Sequence, residues 1–124
     1  MFSKELKVML YVDDVAAAAH FWQKVGFLEV SREEMEGTLI VEVTPHEDAT
    51  TSFMLYDRQF VLQHDPEAAA GNPAIMFTTP DALALYEKMK AEHVELGELL
   101  QLPDGLVFNF MDSDGNYFAV SEGE

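Results

Sequence analysis

No disulfide, thiolate metal site or cysteine nucleophile can exist in this chain, because its 124 residues include no cysteine. Basic residues are scarce: seven Lys and Arg stand against 23 Asp and Glu, a formal net charge of −16. That field repels phosphate backbones, so nucleic acid is not an expected partner. The acid excess serves solubility first, and beyond that it attracts cationic small molecules. No apolar run approaches the roughly 20 residues of a membrane span. The opening Met1-Phe2-Ser3-Lys4-Glu5 also lacks the basic-then-apolar form of a secretory signal. The expectations are a cytoplasmic protein and no membrane partner. There is no Ser-His-Asp order, phosphate-binding glycine loop or stacked basic patch.

What is present is a chain 48% apolar, enough for one domain over 1–124 with a real core. Lys7 to Val12 alternates, with Val8, Leu10 and Val12 on one face and Lys7, Met9 and Tyr11 on the other. Asp13 or Asp14 caps a helix whose inward stripe is Val15, Ala18, Ala19, Trp22 and Val25, and Gly26 suits its end. Short strands follow at Phe27–Val30, Thr38–Thr44 and Ser52–Tyr56, the first two separated by an acidic turn around Glu33–Gly37. Module one is thus a βαβββ unit over about 5–57, and about 58–72 reads as a linker.

The pattern then restarts over about 73–122. Ala74–Thr78 is a strand, and Thr79-Pro80-Asp81 starts a helix with a capping hydroxyl and proline at the first helical position. Ala82, Leu85, Tyr86 and Met89 form its stripe. Strands follow at Val94–Leu100, Leu106–Met111 and Tyr117–Ser121, with Pro103-Asp104-Gly105 as one turn. Asp112-Ser113-Asp114-Gly115-Asn116 is a tight hairpin loop, and backbone hydrogen bonding is the role expected of its carboxylates. Aligning Asp14 with Asp81 also aligns Phe27 with Val94, a spacing of 67 residues.

A strand-Asp-helix-Gly-Phe opening (Lys7 to Val15, then Val25-Gly26-Phe27) and an Asp-x-Asp-Gly-Asn ending at Asp112–Asn116 resemble the vicinal oxygen chelate superfamily. That group includes glyoxalases, bleomycin-resistance proteins and extradiol dioxygenases. The resemblance implies an α+β fold of two tandem βαβββ modules, forming a curved, barrel-like sheet cavity with helices outside. It also implies a homodimer and a small organic ligand in the cavity.

Members that act as lyases or oxygenases carry metal ligands on four strands. By that resemblance the positions here fall at Lys7, about Met54, Pro73 and Ala119. Amine, thioether, proline and methyl are not donors for Zn²⁺, Mn²⁺, Ni²⁺ or Fe²⁺. No metal and no other cofactor is therefore expected. The histidines offer no substitute, since His20, His46, His64 and His93 are scattered over a helix surface, a turn, the linker and a helix end.

Alternation places Lys7, Met9 and Tyr11, then Ser52, Met54 and Tyr56, then Ile75 and Phe77, and finally Tyr117 toward the cavity. Glu42 and Asn109 sit among apolar neighbours in strands whose facing the sequence leaves open. An aromatic and thioether lining suits a planar, partly apolar ligand, cationic or neutral. Lys7 either pairs with Glu42 or a ligand anion, or extends to the rim. Glu42, if inward, is a cation's partner or a general base. The expected function is metal-independent binding that sequesters a small molecule. The alternative is a lyase, isomerase or dioxygenase with a displaced metal site.

Overall fold

A computed structural model describes residues 2–64, 75–103 and 105–123. Its strands form two sheets, one in each of two compact units, the first within residues 1–72 and the second within 73–124. The expected α+β architecture of two tandem modules is present, and neither sheet closes into a barrel among the described residues. Among the described residues each sheet keeps two free edges.

Unit one runs β1 (Leu6–Val12), α1 (Val15–Lys24), β2 (Leu28–Met35), β3 (Thr38–Thr44), β4 (Thr51–Asp57) and α2 (Arg58–His64). Its sheet order is β1-β4-β3-β2, with β1 and β4 parallel. Asp14 is the cap of α1, its carboxylate accepting from Ala17 N at 3.0 Å. The expected stripe is buried, joined by Phe21. Trp22 centres this core, edge-on to Phe53 at 5.1 Å and 4.8 Å from Phe27.

Two elements of unit one differ from the sequence expectation. β2 continues to Met35, and the turn shrinks to Glu36-Gly37, both with positive φ (52° and 81°), as a two-residue hairpin requires. The acidic stretch thus belongs to an edge strand, where exposed charge opposes pairing with other chains. Within it Glu29 accepts from Arg32 at 2.8 Å, and that guanidinium holds the carboxyl below its ordinary range. The other difference is α2, formed from the start of the expected linker and capped by Asp57, whose Oδ1 accepts from Gln59 N at 2.8 Å. The rest of that linker, 65–72, lies outside the described residues.

Unit two repeats the plan. β5 (Met76–Thr79) precedes α3 (Ala82–Ala91), then β6 (Glu95–Leu96), β7 (Leu100–Leu102), β8 (Gly105–Met111) and β9 (Tyr117–Glu122). β5 and β9 are parallel, and the order β5-β9-β8 followed by β6 and β7 matches that of unit one. Asp81, not Thr79, caps α3, accepting from Ala84 N at 3.0 Å, so Pro80 lies before the helix. The single strand expected at Val94–Leu100 is two short ones separated by Gly97-Glu98-Leu99, both paired with β8. Ala74 and Asp104, placed above in a strand and a turn, lie outside the described residues.

The Asp112 carboxylate organises the β8–β9 turn. Oδ1 accepts from Asp114 N (2.9 Å) and Asn116 N (2.8 Å), and Oδ2 from the Asn116 side chain (3.2 Å). Backbone hydrogen bonding is its role, as its place in the loop suggests.

The repeat extends to the helix ends. Gly26 follows α1 with φ 111°, and the residue in step with it after α3 is His93, with φ 62°. A side chain there strains the left-handed backbone that glycine adopts without cost. His93→Gly is expected to stabilise the protein by about 1 kcal/mol, read by urea denaturation. A loss of stability would show that the imidazole makes a compensating contact.

Candidate functional site

Each sheet has one face covered by its helix, and the residues of interest stand on the other. In unit one the parallel register pairs Lys7 with Ser52, Met9 with Met54 and Tyr11 with Tyr56. Because Phe53 and Leu55 point into the core beneath α1, the alternate residues all share the face turned from it. β3 adds Glu42, which lies opposite Met54. The facing that the sequence left open is thus settled: Glu42 is on the same face as Lys7, Met9 and Tyr11.

The face is graded from polar to aromatic. At one end Ser52, 8% exposed, donates to Glu42 Oε2 at 2.7 Å. Ser31 donates to Oε1 at 3.5 Å, and Lys7 Nζ lies 3.7 Å from Oε2. Lys7 is half exposed while the Glu42 side chain is only 14% so. In the middle, Met9 is exposed and Met54 half-buried. At the far end Tyr11 is buried, its ring 6.2 Å from that of Tyr56. Arg58 of α2 anchors that end by donating to the Tyr11 carbonyl at 2.7 Å and pairing with Asp13.

A cleft of about 270 Å³ opens at the polar end, lined by Lys7, Val30, Glu42, Thr44, Glu47 and Ser52 among others. Thr44 fixes the loop beside it by donating to Thr51 O at 2.9 Å. In that loop His46 Nδ1 accepts from Asp48 N at 3.1 Å. The composition of the cleft, a carboxylate pinned by hydroxyls beside one amine, equips it to hold a polar group.

Unit two carries Asn109 and Tyr117 on its corresponding face. Asn109 pairs with Ala119, Tyr117 with Met111, and both side chains are exposed. Phe77 is a correction. Its ring stacks 6.1 Å from Phe110 and lies 5.9 Å from Phe118, and it is in register with buried Val120, so it belongs to the helix-covered core. Ile75, just before β5, falls in the same phase. The β5 residue on the other face is Met76, 65% exposed. Ala74 to Phe77 is apolar throughout, so alternation gave no phase, and only the pairing with β9 supplies it.

At the positions that the family resemblance assigns to metal ligands, Lys7 presents an amine, Met54 a thioether and Ala119 a methyl, while Pro73 lies outside the described residues. That donor set does not fit a transition metal. Among the described residues no group of three or more His, Asp or Glu is gathered to hold one.

The model of the Glyoxalase/Bleomycin resistance protein/Dioxygenase superfamily matches residues 6–120. The chain belongs to that superfamily. It is 34% identical over 119 residues to the uncharacterized protein YetH of Bacillus subtilis (strain 168), covering 93% of this chain and 94% of that one. Among solved structures it is similar to TnmS3, an antibiotic binding protein from Streptomyces sp. CB03234. There the TM-score is 0.81 at 22% identity, covering 99% of this chain and 98% of that one. It is also similar to a lactoylglutathione lyase from Agrobacterium tumefaciens, with a TM-score of 0.70 at 21% identity over 98% and 94% of the two chains. One fold thus serves a binder and an enzyme, and the residues of the site must decide between them. No described helix is long and apolar enough to cross a membrane.

The Ser52 hydroxyl bonds a carboxylate that is largely withdrawn from water. Ser52→Ala should cost roughly 2 kcal/mol of stability, measured by urea denaturation. A change within experimental error would mean that solvent already satisfies Glu42.

Proposed function

We propose that this protein binds and sequesters a small, planar, partly apolar molecule, neutral or cationic, without a metal, acting in the cytoplasm as a homodimer. The observation that carries the reading is the face of unit one turned from α1. Met9, Met54 and Tyr56 offer thioether and aromatic surface beside a polar cleft, an arrangement suited to holding a flat amphipathic molecule. Asn109 and Tyr117 on the second sheet are further candidates for the lining. The misfit of Lys7, Met54 and Ala119 to a metal favours binding over the lyase or dioxygenase chemistry of other members. The likeness to an antibiotic binding protein supports the reading at the level of the fold.

The purified protein should carry far less than one transition metal per chain, and EDTA should leave its thermal stabilisation by aromatic ligands unchanged. Near-stoichiometric metal by elemental analysis, with binding lost on chelation, would restore the enzyme reading.

Support for the dimer comes from the exposed apolar side chains Met35, Met76 and Leu100, which a second copy would cover. Sedimentation velocity at micromolar concentration should give twice the 13.9 kDa chain mass. A single species at the chain mass would remove the dimer from the proposal.

A further inference from the structure

We infer that the Lys7–Glu42 pair is a displaceable internal ion pair: a ligand's ammonium takes the place of Lys7 on Glu42, making Lys7 a specificity-determining competitor for organic cations. This rests on the small-molecule reading above and names the ligand's charge.

The inference starts from the unequal hold on the two partners. Glu42 is fixed by its strand, by Ser52 at 2.7 Å and by Ser31 at 3.5 Å, with its side chain largely buried. Lys7 is half exposed and touches Oε2 only at 3.7 Å, near the outer limit of an ion pair, on a long flexible stem. Pairs of that kind contribute little and exchange readily with solvent. The carboxylate also has acceptor capacity to spare. Two oxygens offer about four lone-pair positions, and among the described residues Oε1 receives only the long Ser31 bond.

The cleft is large enough for more than water, about 270 Å³, and among the described residues it is lined by Glu5, Glu42 and Glu47 against one basic residue, Lys7. Its charge favours a cation even with Lys7 in place, and more strongly once the amine swings out to solvent. Val30 in the lining and exposed Met9 further along the same face give an attached apolar group a surface to lie on. The ligand class that meets both features is a primary ammonium carried on a flat apolar body.

The test uses the full chain and three matched probes: naphthalene-methylamine, naphthalene-methanol and naphthoate, each followed by thermal shift and calorimetric titration. The wild type should prefer the amine. Lys7→Met should tighten the amine about fivefold by removing the competitor and leave the alcohol unchanged. Glu42→Gln should weaken the amine at least about tenfold. If Glu42→Gln does not fold, the Lys7→Met result decides alone.

Equal binding of amine and alcohol, or amine binding indifferent to Lys7→Met, overturns the inference and leaves the binding reading standing. Preference for naphthoate, lost in Lys7→Met, also overturns it and makes Lys7 the anchor of an anion. No binding by any probe to the wild type or to Lys7→Met overturns both.

Discussion

Parallel pairing of β1 with β4 is the constraint on which the candidate site depends. It sets Lys7 beside Ser52, Met9 beside Met54 and Tyr11 beside Tyr56, in register along one face. A slip of one residue would send all of them into the helix-covered core and bring Leu10 and Phe53 out. That register is protected from beneath, where Trp22 and Phe53 meet edge to face and Leu10, Val41, Val43 and Leu55 are fully buried. Burial on the helix side thus fixes chemistry on the other. Glu42 reaches Ser52 because β3 pairs with β4 in a register that the same core enforces.

The two units solve the same problem with the same parts. Each begins with a strand, an aspartate cap and a helix, and each pairs its first strand in parallel with its last. The second departs where its sequence does. His93 occupies a left-handed position held by glycine in the first unit. The strand equivalent to β2 is broken in two around Gly97, whose amide donates to Asn109 O at 2.8 Å. Glu122 compensates locally, one carboxylate oxygen accepting from Ala82 N at the start of α3 and the other from Leu106 N in β8. Such departures alter edges and turns and leave the ladder intact.

The order of elements was legible in the sequence because caps, glycines and helical stripes are local signals. Asp14, Gly26 and Asp112 each act through residues within a few positions and were readable, and Thr79-Pro80-Asp81 marked the start of α3 although the cap is Asp81 rather than Thr79. Facing was legible only where polar and apolar residues alternate, as in Lys7 to Val12. Where every residue is apolar, as from Ala74 to Phe77, the phase comes from the partner strand, and Phe77 was placed on the wrong side. Glu42 was undecidable for the same reason, since its facing follows from a register with Met54. The length of β2 was hidden because an edge strand need not be apolar, and its charged stretch resembles a turn. α2 was missed because its seven residues are too few to show a helical period.

The central claim is that a small molecule is held on the face of unit one that carries Glu42. Methionine methyl resonances report on it directly, because Met9 and Met54 lie on that face, Met76 and Met111 on the corresponding face of unit two, and Met89 in the core. In a titration with naphthalene-methanol, aromatic ring currents should move the Met9 and Met54 methyl signals in a saturable way and leave Met89 still. Saturable shifts confined to Met76 and Met111, with Met9 and Met54 unmoved, would contradict the account.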